Sequence, residues 1–276
     1  MKTWKYYNHA MIPTTAPHEL ADEAALNDCS FWKENKSALL ARWTSDFDCG
    51  YETNWWYVIK DAPYRLEDVS AKERKSIHQA LRKCYVRKID FSEYKEELYI
   101  CYSSAFSRYE NADNMCSYEQ FCKSCEISNN LIHCFAGFDA ETNVLIGYIT
   151  VCVYDVYVEL QTAKFNPHFL NRQVSDALYH HILDYYLNHL NKKYVCSGSR
   201  NINHKTNTQD YKIRRFGYRK AYCHLHIMYN PKIKFFVKIV YLFRTFLKRL
   251  DRITLFHQIN SVLKMEEIYR SGMQSK

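Results

Sequence analysis

The amino-acid sequence predicts an α+β fold, in which a mixed and largely antiparallel sheet is flanked by helices and followed by an amphipathic helical tail. Between Arg219 and Tyr229, apolar residues recur at every second position, which is the period of a pleated strand. Between about Arg172 and Leu190 they recur at the three- and four-residue spacing of a helix. Several strands are predicted before this helix and two after it, so antiparallel strands lead into a strand–helix–strand crossover.

The composition indicates a folded protein of one or two domains. The chain has 276 residues, of which 47% are hydrophobic, and this is ample for a core. The 24 tyrosines outnumber the 6 glycines and 5 prolines, which argues against long flexible linkers. The first residues contain no apolar segment typical of a secretory signal, so the eleven scattered cysteines are expected to be reduced thiols of a cytoplasmic protein.

The positive charge is concentrated near the C-terminus. The net charge is +8, and from Pro231 onward about ten Lys and Arg residues face three acidic ones. The rest of the chain is therefore close to neutral, and a general nucleic-acid-binding surface is not favoured.

Three regions are predicted along the chain: residues 1–60, 61–230 and 231–276. The first contains two strands, Ser37–Phe47 and Thr53–Lys60, and a packed layer is suggested by Trp32, Trp43, Trp55 and Trp56. In the second, Ser70 is predicted to cap a helix over residues 71–83, in which Ile77, Ala80 and Leu81 form a narrow apolar stripe. The remaining predicted elements are strand 85–89, helices 93–109 and 117–126, strands 131–138, 144–153 and 157–164, helix 172–190, strand 193–197, helix 207–216 ending at Gly217, and strand 219–229.

Several of these segments resemble the GNAT superfamily of acyltransferases. Leu145–Val151 is similar to its fourth strand, Arg172–Leu190 to its central helix, and Arg215–Arg219 (RFGYR) to its glycine-aromatic ending. The segment from Ser70 to Ile89 resembles a helix–strand unit of FemAB-like acyltransferases, a branch that acylates cell-wall or glycan precursors. The resemblance covers about residues 55–230, and similar chains occur among bacterial surface-polysaccharide genes.

The resemblance implies transfer of an acetyl or aminoacyl group to an amino group of a sugar, glycan or cell-envelope precursor. An acyl-CoA such as acetyl-CoA is the implied donor, and an aminoacyl-tRNA is the less favoured one. Asn171, Arg172, Gln173 and Asn207 are the implied cofactor-binding residues, and no metal is implied. The chain departs from the family in two places, because segment 166–174 contains no glycine and the usual tyrosine acid is replaced by Ile213. A non-catalytic GNAT-fold binding or scaffold protein at a membrane surface therefore stays as the alternative.

Two groups of residues are candidates for the chemistry. Glu159, near the middle of a strand, is the predicted general base, and an outward-facing strand carboxylate is the alternative. The polar turn after strand 193–197 supplies His204 as a second catalytic candidate, because ligands gather at the carboxyl ends of strands. The same turn supplies the predicted substrate-binding residues Arg200, Lys205 and Asp210, although a solvated loop that caps the next helix explains the pattern equally well.

The cysteine and histidine pairs do not predict a metal site. Cys122 and Cys125 fall within a helical pattern, and His133 and Cys134 fall within a strand, so buried thiols are favoured over zinc ligands. Adjacent histidines at 180 and 181 point in different directions from a helix and are expected at its surface.

The tail pattern is that of a basic amphipathic helix. Between residues 231 and 252, apolar residues keep helical spacing, and six of the seven Lys and Arg residues supply a cationic side. This predicts a helix on an anionic membrane surface, so that the protein is peripheral at the inner face of the membrane. The alternatives are a helix packed on the domain and a homodimer contact.

Overall fold

The computed structural model describes residues 3–108, 115–126, 131–202, 207–250 and 254–274. The chain divides into two compact units. Unit 1 comprises residues 1–57, 199–205 and 220–276, and unit 2 comprises residues 58–198 and 206–219.

The described elements confirm the α+β class. The strands are β1 Trp4–Tyr7, β2 Ala10–Pro13, β3 Leu40–Ser45, β4 Trp55–Asp61, β5 Cys84–Ile89, β6 Ile132–Asp139, β7 Leu145–Val153, β8 Tyr157–Phe165, β9 Tyr194–Ser199 and β10 Arg219–Tyr229. The helices are α1 Cys29–Glu34, α2 Ala71–Lys83, α3 Lys95–Phe106, α4 Tyr118–Glu126, α5 Val174–Leu183, α6 Thr208–Phe216, α7 Pro231–Leu242, α8 Arg244–Leu247 and α9 Thr254–Gln274.

Unit 1 contains strands from both ends of the chain. β1 and β2 form an antiparallel pair, β2 runs parallel to β3, and β3 pairs with β10 in antiparallel register from Leu40–Tyr229 to Ser45–His224. The predicted strands 37–47 and 53–60 exist as β3 and β4, but β3 takes β10 as its antiparallel partner instead of β4. Of the four tryptophans that suggest a packed layer, Trp32 and Trp43 pack with Trp4 and Leu26 in one cluster, while Trp55 belongs to another.

The C-terminal helix α9 is part of the core of unit 1. Ile268 is buried against Trp55, Cys223 and Leu225, and Leu263 is 2% exposed. The hydroxyl of Tyr229 donates to Glu266 Oε2 at 2.7 Å, which connects β10 to the same helix.

In unit 2, five strands lie side by side in the order β9-β8-β7-β6-β5. The four strands β5 to β8 are antiparallel neighbours, and β8 and β9 are parallel. Helices cover both faces: α2 and α5 pack on one face, and α3 and α4 cover the other through a cluster around Leu98, Phe121 and Phe138. This arrangement confirms the predicted sheet flanked by helices.

Local sequence signals set the ends of several helices. The side chain of Ser70 accepts a hydrogen bond from the amide of Glu73, as the predicted cap of α2 requires. Gly217 has φ +66° after the last residue of α6, in the left-handed conformation that glycine adopts without strain. Within α2, Ile77 and Ala80 are buried as predicted, but Leu81 is 39% exposed and does not belong to the buried stripe.

Two glycines allow α5 to approach the sheet closely. A Cβ atom on Gly137 of β6 would lie 2.3 Å from Val174 Cγ2, and one on Gly147 of β7 would lie 3.0 Å from Val174 Cγ1. The first turn of α5 is therefore positioned by the absence of side chains on the neighbouring strands.

Candidate functional site

The parallel strands β8 and β9 pair over a short distance. Tyr157, Val158 and Glu159 are in register with Tyr194, Val195 and Cys196. Both strands continue, to Phe165 and Ser199, without further pairing between their described residues. Two parallel strands that separate towards their carboxyl ends leave room for a ligand between them.

A pocket of about 360 Å³ lies near the end of β8. Phe165 and Tyr179 supply aromatic surface, and the polar lining residues come from the first turns of α5 and α6. These polar residues are Ser175, Asn207, Thr208 and Tyr211. Because the first N–H groups of a helix lack intrahelical acceptors, both helix starts offer hydrogen-bond donors here.

A buried lysine lies beside this pocket. Lys212 of α6 is 7% exposed, and its Nζ donates to Ser197 Oγ, one residue beyond the last β8–β9 pair. Nζ lies 5.2 Å from the ring centre of Tyr179, which lines the pocket. Burial lowers the pKa of Lys212 to about 8, and Cys196 opposes this shift, so a sizeable neutral fraction exists near physiological pH.

The neighbouring thiol is not a nucleophile at neutral pH. Burial, and then the charge of Glu159, raise the pKa of Cys196 to about 12. Glu159 is half-buried at the last paired position of β8, and its Oε2 accepts from Gln161 Nε2 at 3.0 Å. The predicted base, Glu159, is thus the partner of Cys196 in the parallel strand pair. Cys196 directly precedes Ser197, the residue that Lys212 contacts.

A buried polar network connects α5, α6 and α2 next to the pocket. Asp176, in the first turn of α5, is 3% exposed and accepts from Arg215 Nη1 at 2.8 Å and from Ser76 Oγ at 3.0 Å. The hydroxyl of Tyr211 donates to Asp176, and burial together with that carboxylate raises the pKa of Tyr211. Arg215 also pairs with the buried Glu73 at 2.7 Å, which links α2 to the same network.

The segment before α5 is built without glycine. It forms a short 3₁₀ helix, Pro167–Arg172, followed by Gln173 at φ +59°. Arg172 Nε lies 2.8 Å from the fully buried Asp139, and its Nη atoms hold Glu141 at 2.6 and 3.1 Å. The carbonyl of Asn171 accepts from Lys83 Nζ at 3.0 Å. Of the predicted cofactor-binding residues, Arg172 is thus engaged with carboxylates. Gln173 occupies the N-cap position of α5 without a capping hydrogen bond from its side chain, and Asn207 lines the pocket.

The described members of the predicted substrate-binding set belong to different units. Asp210 is exposed in the first turn of α6 in unit 2. Arg200 belongs to unit 1, where its guanidinium lies 4.5 Å above the ring of Trp56 and donates to the carbonyl of Asn54. The predicted His204 and Lys205 lie outside the described residues, so both stay predictions.

Lys212, Ser197 and Asp176 were missed by sequence reasoning. Lys212 lies four residues before the buried Phe216, so it shares the inward face of α6, and this spacing was the available signal. The pairing with Ser197 depends on tertiary structure and leaves no mark in the sequence.

The described part of the chain contains neither a membrane-spanning helix nor a cluster of metal ligands. None of its helices is long and apolar enough to cross a membrane. Within the same residues, no group of three or more His, Cys, Asp or Glu side chains is arranged to hold a metal ion.

Comparison with known proteins shows the fold and leaves the family open. No protein-family model and no curated protein matches the sequence. Among solved structures, the chain is similar to the C-terminal domain (DUF2156) of a protein from Agrobacterium fabrum described as a lysylphosphatidylglycerol synthetase, with TM-score 0.54, 10% identity and coverage of 81% of this chain and 79% of that one. It is also similar to L-PGS from Bacillus licheniformis, with TM-score 0.50, 11% identity and coverage of 83% and 80%.

A tandem GNAT protein from the clavulanic acid biosynthesis pathway is another match, with TM-score 0.44, 10% identity and coverage of 80% and 75%. The structures with TM-scores of 0.54 and 0.50 support the predicted fold class, a mixed and largely antiparallel sheet flanked by helices. Membership of the GNAT superfamily stays a prediction. The FemAB-like branch stays a prediction.

Proposed function

We propose that this protein is an acyltransferase that moves an acyl or aminoacyl group from an activated donor to an acceptor amine. The observation that carries the proposal is the separation of β8 and β9 next to a pocket that contains two helix starts and is flanked by a buried lysine. In an acyl transfer the acceptor must lose a proton, and the leaving group must gain one. The site supplies a candidate group for each task.

Lys212 is the proposed base. Its neutral form takes the amine proton directly or through Ser197 Oγ, which Lys212 already contacts. The freed amine attacks the carbonyl carbon of the donor, and the bond from that carbon to the leaving sulfur or oxygen breaks. After Lys212 has taken the amine proton, its ammonium group returns a proton to the leaving group, so the protons balance. Tyr211 lines the pocket, but its hydroxyl donates to Asp176 and its raised pKa makes it a poor acid. Glu159, the base predicted from the sequence, is the competing candidate.

The described residues fit part of an acyl-CoA. Phe165 and Tyr179 offer apolar contact for an acyl chain, and the N–H groups at the start of α5 suit a phosphate. Gln173 Oε1 is buried without a hydrogen-bond partner in the described structure, which is consistent with a ligand contact at this position. Arg172 is not available for the phosphates while Asp139 and Glu141 hold it.

The acceptor is proposed to belong to the cell envelope. The sequence resemblance favours an amino group on a sugar or glycan precursor. The name of the Agrobacterium fabrum protein, lysylphosphatidylglycerol synthetase, adds a lipid acceptor and an aminoacyl group to the classes that should be assayed.

Donor binding is the first experiment. We would titrate the protein with acetyl-CoA and longer acyl-CoAs and follow its melting temperature, because a ligand that binds the native state alone raises stability. The variant Thr208→Trp fills the pocket, and Arg214→Trp places the same side chain at an exposed position of the same helix. A saturable rise that Thr208→Trp removes and Arg214→Trp keeps would support the proposal.

The absence of a rise with every acyl-CoA would exclude a CoA donor. Transfer assays with aminoacyl-tRNA would then be decisive. Failure of those assays as well would leave the non-catalytic alternative, which the engagement of Arg172 with two carboxylates favours.

The identity of the base follows from the pH profile of a working assay. With Lys212 as the base, kcat/KM rises with pH and levels off above about 8. Lys212→Met should remove both the rise and most of the activity, while Lys212→Arg should preserve the charge and still fail as a base. A profile that is unchanged in Lys212→Met and lost in Glu159→Gln would assign the role to Glu159.

A further inference from the structure

Helices α7 and α8 expose a continuous apolar stripe. Six large apolar side chains are each between 41% and 74% exposed, which is unusual for so many neighbours in a folded chain. Their spacing of one, three and four residues places them within about a third of the helix circumference. They are Phe235, Phe236, Ile239, Leu242, Phe243 and Phe246, here called the apolar stripe.

The other side of this helical segment is fixed to unit 1. Val237 is 7% exposed, and Arg270 of α9 lies 4.0 Å from the ring centre of Tyr241. Arg244 and Lys248 both pair with Glu267 of α9, at 3.3 and 3.0 Å. The orientation of the helix is therefore set by contacts on the side opposite the apolar stripe, and the exposure of the stripe is a property of the folded unit.

Unpaired cations accompany the stripe. Lys232, Lys234, Lys238 and Arg249 are exposed and have no acidic partner in the described part of the chain. Lys234 and Lys238 also border a pocket of about 280 Å³, whose wall includes Met228 of β10. Exposed positive charges thus flank the apolar stripe, which the contacts with α9 do not cover.

We propose that the apolar stripe and its flanking lysines dock onto the surface of an anionic lipid bilayer. An amphipathic helix at such a surface buries its apolar side among the acyl chains while lysines contact the anionic headgroups. A second copy of the chain fits less well, because a symmetric contact through the stripe would bring the same unpaired cations together. The inference concerns binding and does not depend on the proposed chemistry.

Vesicle binding by the full-length chain tests this inference. We would measure co-sedimentation with vesicles of phosphatidylcholine alone and with vesicles that also contain phosphatidylglycerol. Binding should require phosphatidylglycerol and weaken as salt is added, because salt screens exposed charges. The double variant Lys234→Gln/Lys238→Gln should weaken binding roughly tenfold or more, since each surface lysine contributes about fivefold. The pair Lys72→Gln/Lys75→Gln removes the same charge from α2 and should have no effect.

The apolar contribution needs its own pair of variants. Phe235→Ser/Leu242→Ser removes two side chains that are 73% and 74% exposed, and it should abolish binding without lowering the melting temperature. Leu20→Ser, at a position that is 84% exposed elsewhere in unit 1, is the matched control.

Three results would overturn the inference: equal binding to both vesicle types, no vesicle binding at all, or equal losses in the control variants. If sedimentation velocity then showed a dimer that Phe235→Ser/Leu242→Ser dissociates, the occupant of the stripe would be a second copy.

Discussion

Lys212 and Arg172 are two basic side chains with different surroundings in the folded protein. Lys212 is buried beside a hydroxyl, whereas Arg172 is held by two carboxylates. Sequence reasoning assigned Arg172 to cofactor binding and passed over Lys212. Both roles depend on residues far away in the chain, Asp139 in one case and Ser197 in the other. Local sequence patterns therefore indicate in which part of the chain the candidate site lies, but they do not identify the side chains that form it.

Replacing Arg172 should expose the cost of an unpaired buried carboxylate. Asp139 is fully buried, so Arg172→Met is expected to lower the free energy of unfolding by about 3 kcal/mol. Urea denaturation measures this effect. Glu141→Gln is the control, because Glu141 is 72% exposed and its pairing should contribute less than about 1 kcal/mol. Unchanged stability together with lost acyl-CoA binding would instead make Arg172 a cofactor ligand.

The buried Lys212 should make stability depend on pH. Its pKa is about 8 in the folded protein and 10.5 when exposed, so below pH 8 the folded state carries the full penalty of a buried charge. At neutral pH, Lys212→Met should therefore stabilise the protein by an amount on the order of 3 kcal/mol. The gain should shrink as pH rises from 8 towards 10.5. Denaturation curves at pH 7 and pH 10 test this, and a gain that is equal at both would contradict burial of the charge.

At the scale of elements, strong periodicity decided what could be predicted. β10, α2 and the central helix have long, regular patterns and appear close to their predicted bounds, although α5 continues after Leu183 as a π-helical segment, Asp184–His189. The first 36 residues have no such pattern, because β1 and β2 are four residues each. The partner of β3 could not be predicted either, since β10 lies at the other end of the chain.

The packing of α5 on glycine predicts a coupled pair of substitutions. Gly137→Ala should cost about 1–3 kcal/mol, because its methyl group would overlap Val174. Val174→Ala creates space at the same point, so the double variant should lose less stability than the two single variants together. Chemical denaturation of all four proteins gives the coupling energy. If the losses of stability in the two single variants simply added in the double variant, the Gly137 methyl group and Val174 would not be coupled, and α5 would shift away from the sheet without a loss of free energy.

At the scale of the whole molecule, the C-terminal region has two different roles. The sequence predicts a basic amphipathic helical tail over residues 231–276, and apolar residues of α7 and α8 in this tail are exposed. α9 instead completes the core of unit 1 with Leu263 and Ile268. The packing of α9 could not be predicted, because its apolar residues form only a moderately clear stripe and the sequence does not show which surface this stripe contacts.

Deleting residues 251–276 should therefore destabilise unit 1. The deletion removes the buried side chains of α9 and the Glu266 partner of Tyr229, so β3 and β10 lose their cover. We expect amide exchange in β3 and β10 to become faster, and the chain to become prone to aggregation. Exchange measured by mass spectrometry tests this. If the amides of both strands stayed protected from exchange, α9 would not be needed for the stability of unit 1.

The composition of unit 1 from three stretches of chain has a consequence for biosynthesis. Ser45 of β3 pairs with His224 of β10, and the helix that covers both strands comes later still. At ordinary translation rates of about 5–20 residues per second, β3 waits roughly 10–40 seconds for its partner to leave the ribosome. During that interval Trp43 and Leu40 lack the β10 side of their native environment, while nearly all of unit 2 has already been made. We therefore expect β3 to wait longer for β10 during synthesis than neighbouring strands of unit 2 wait for one another.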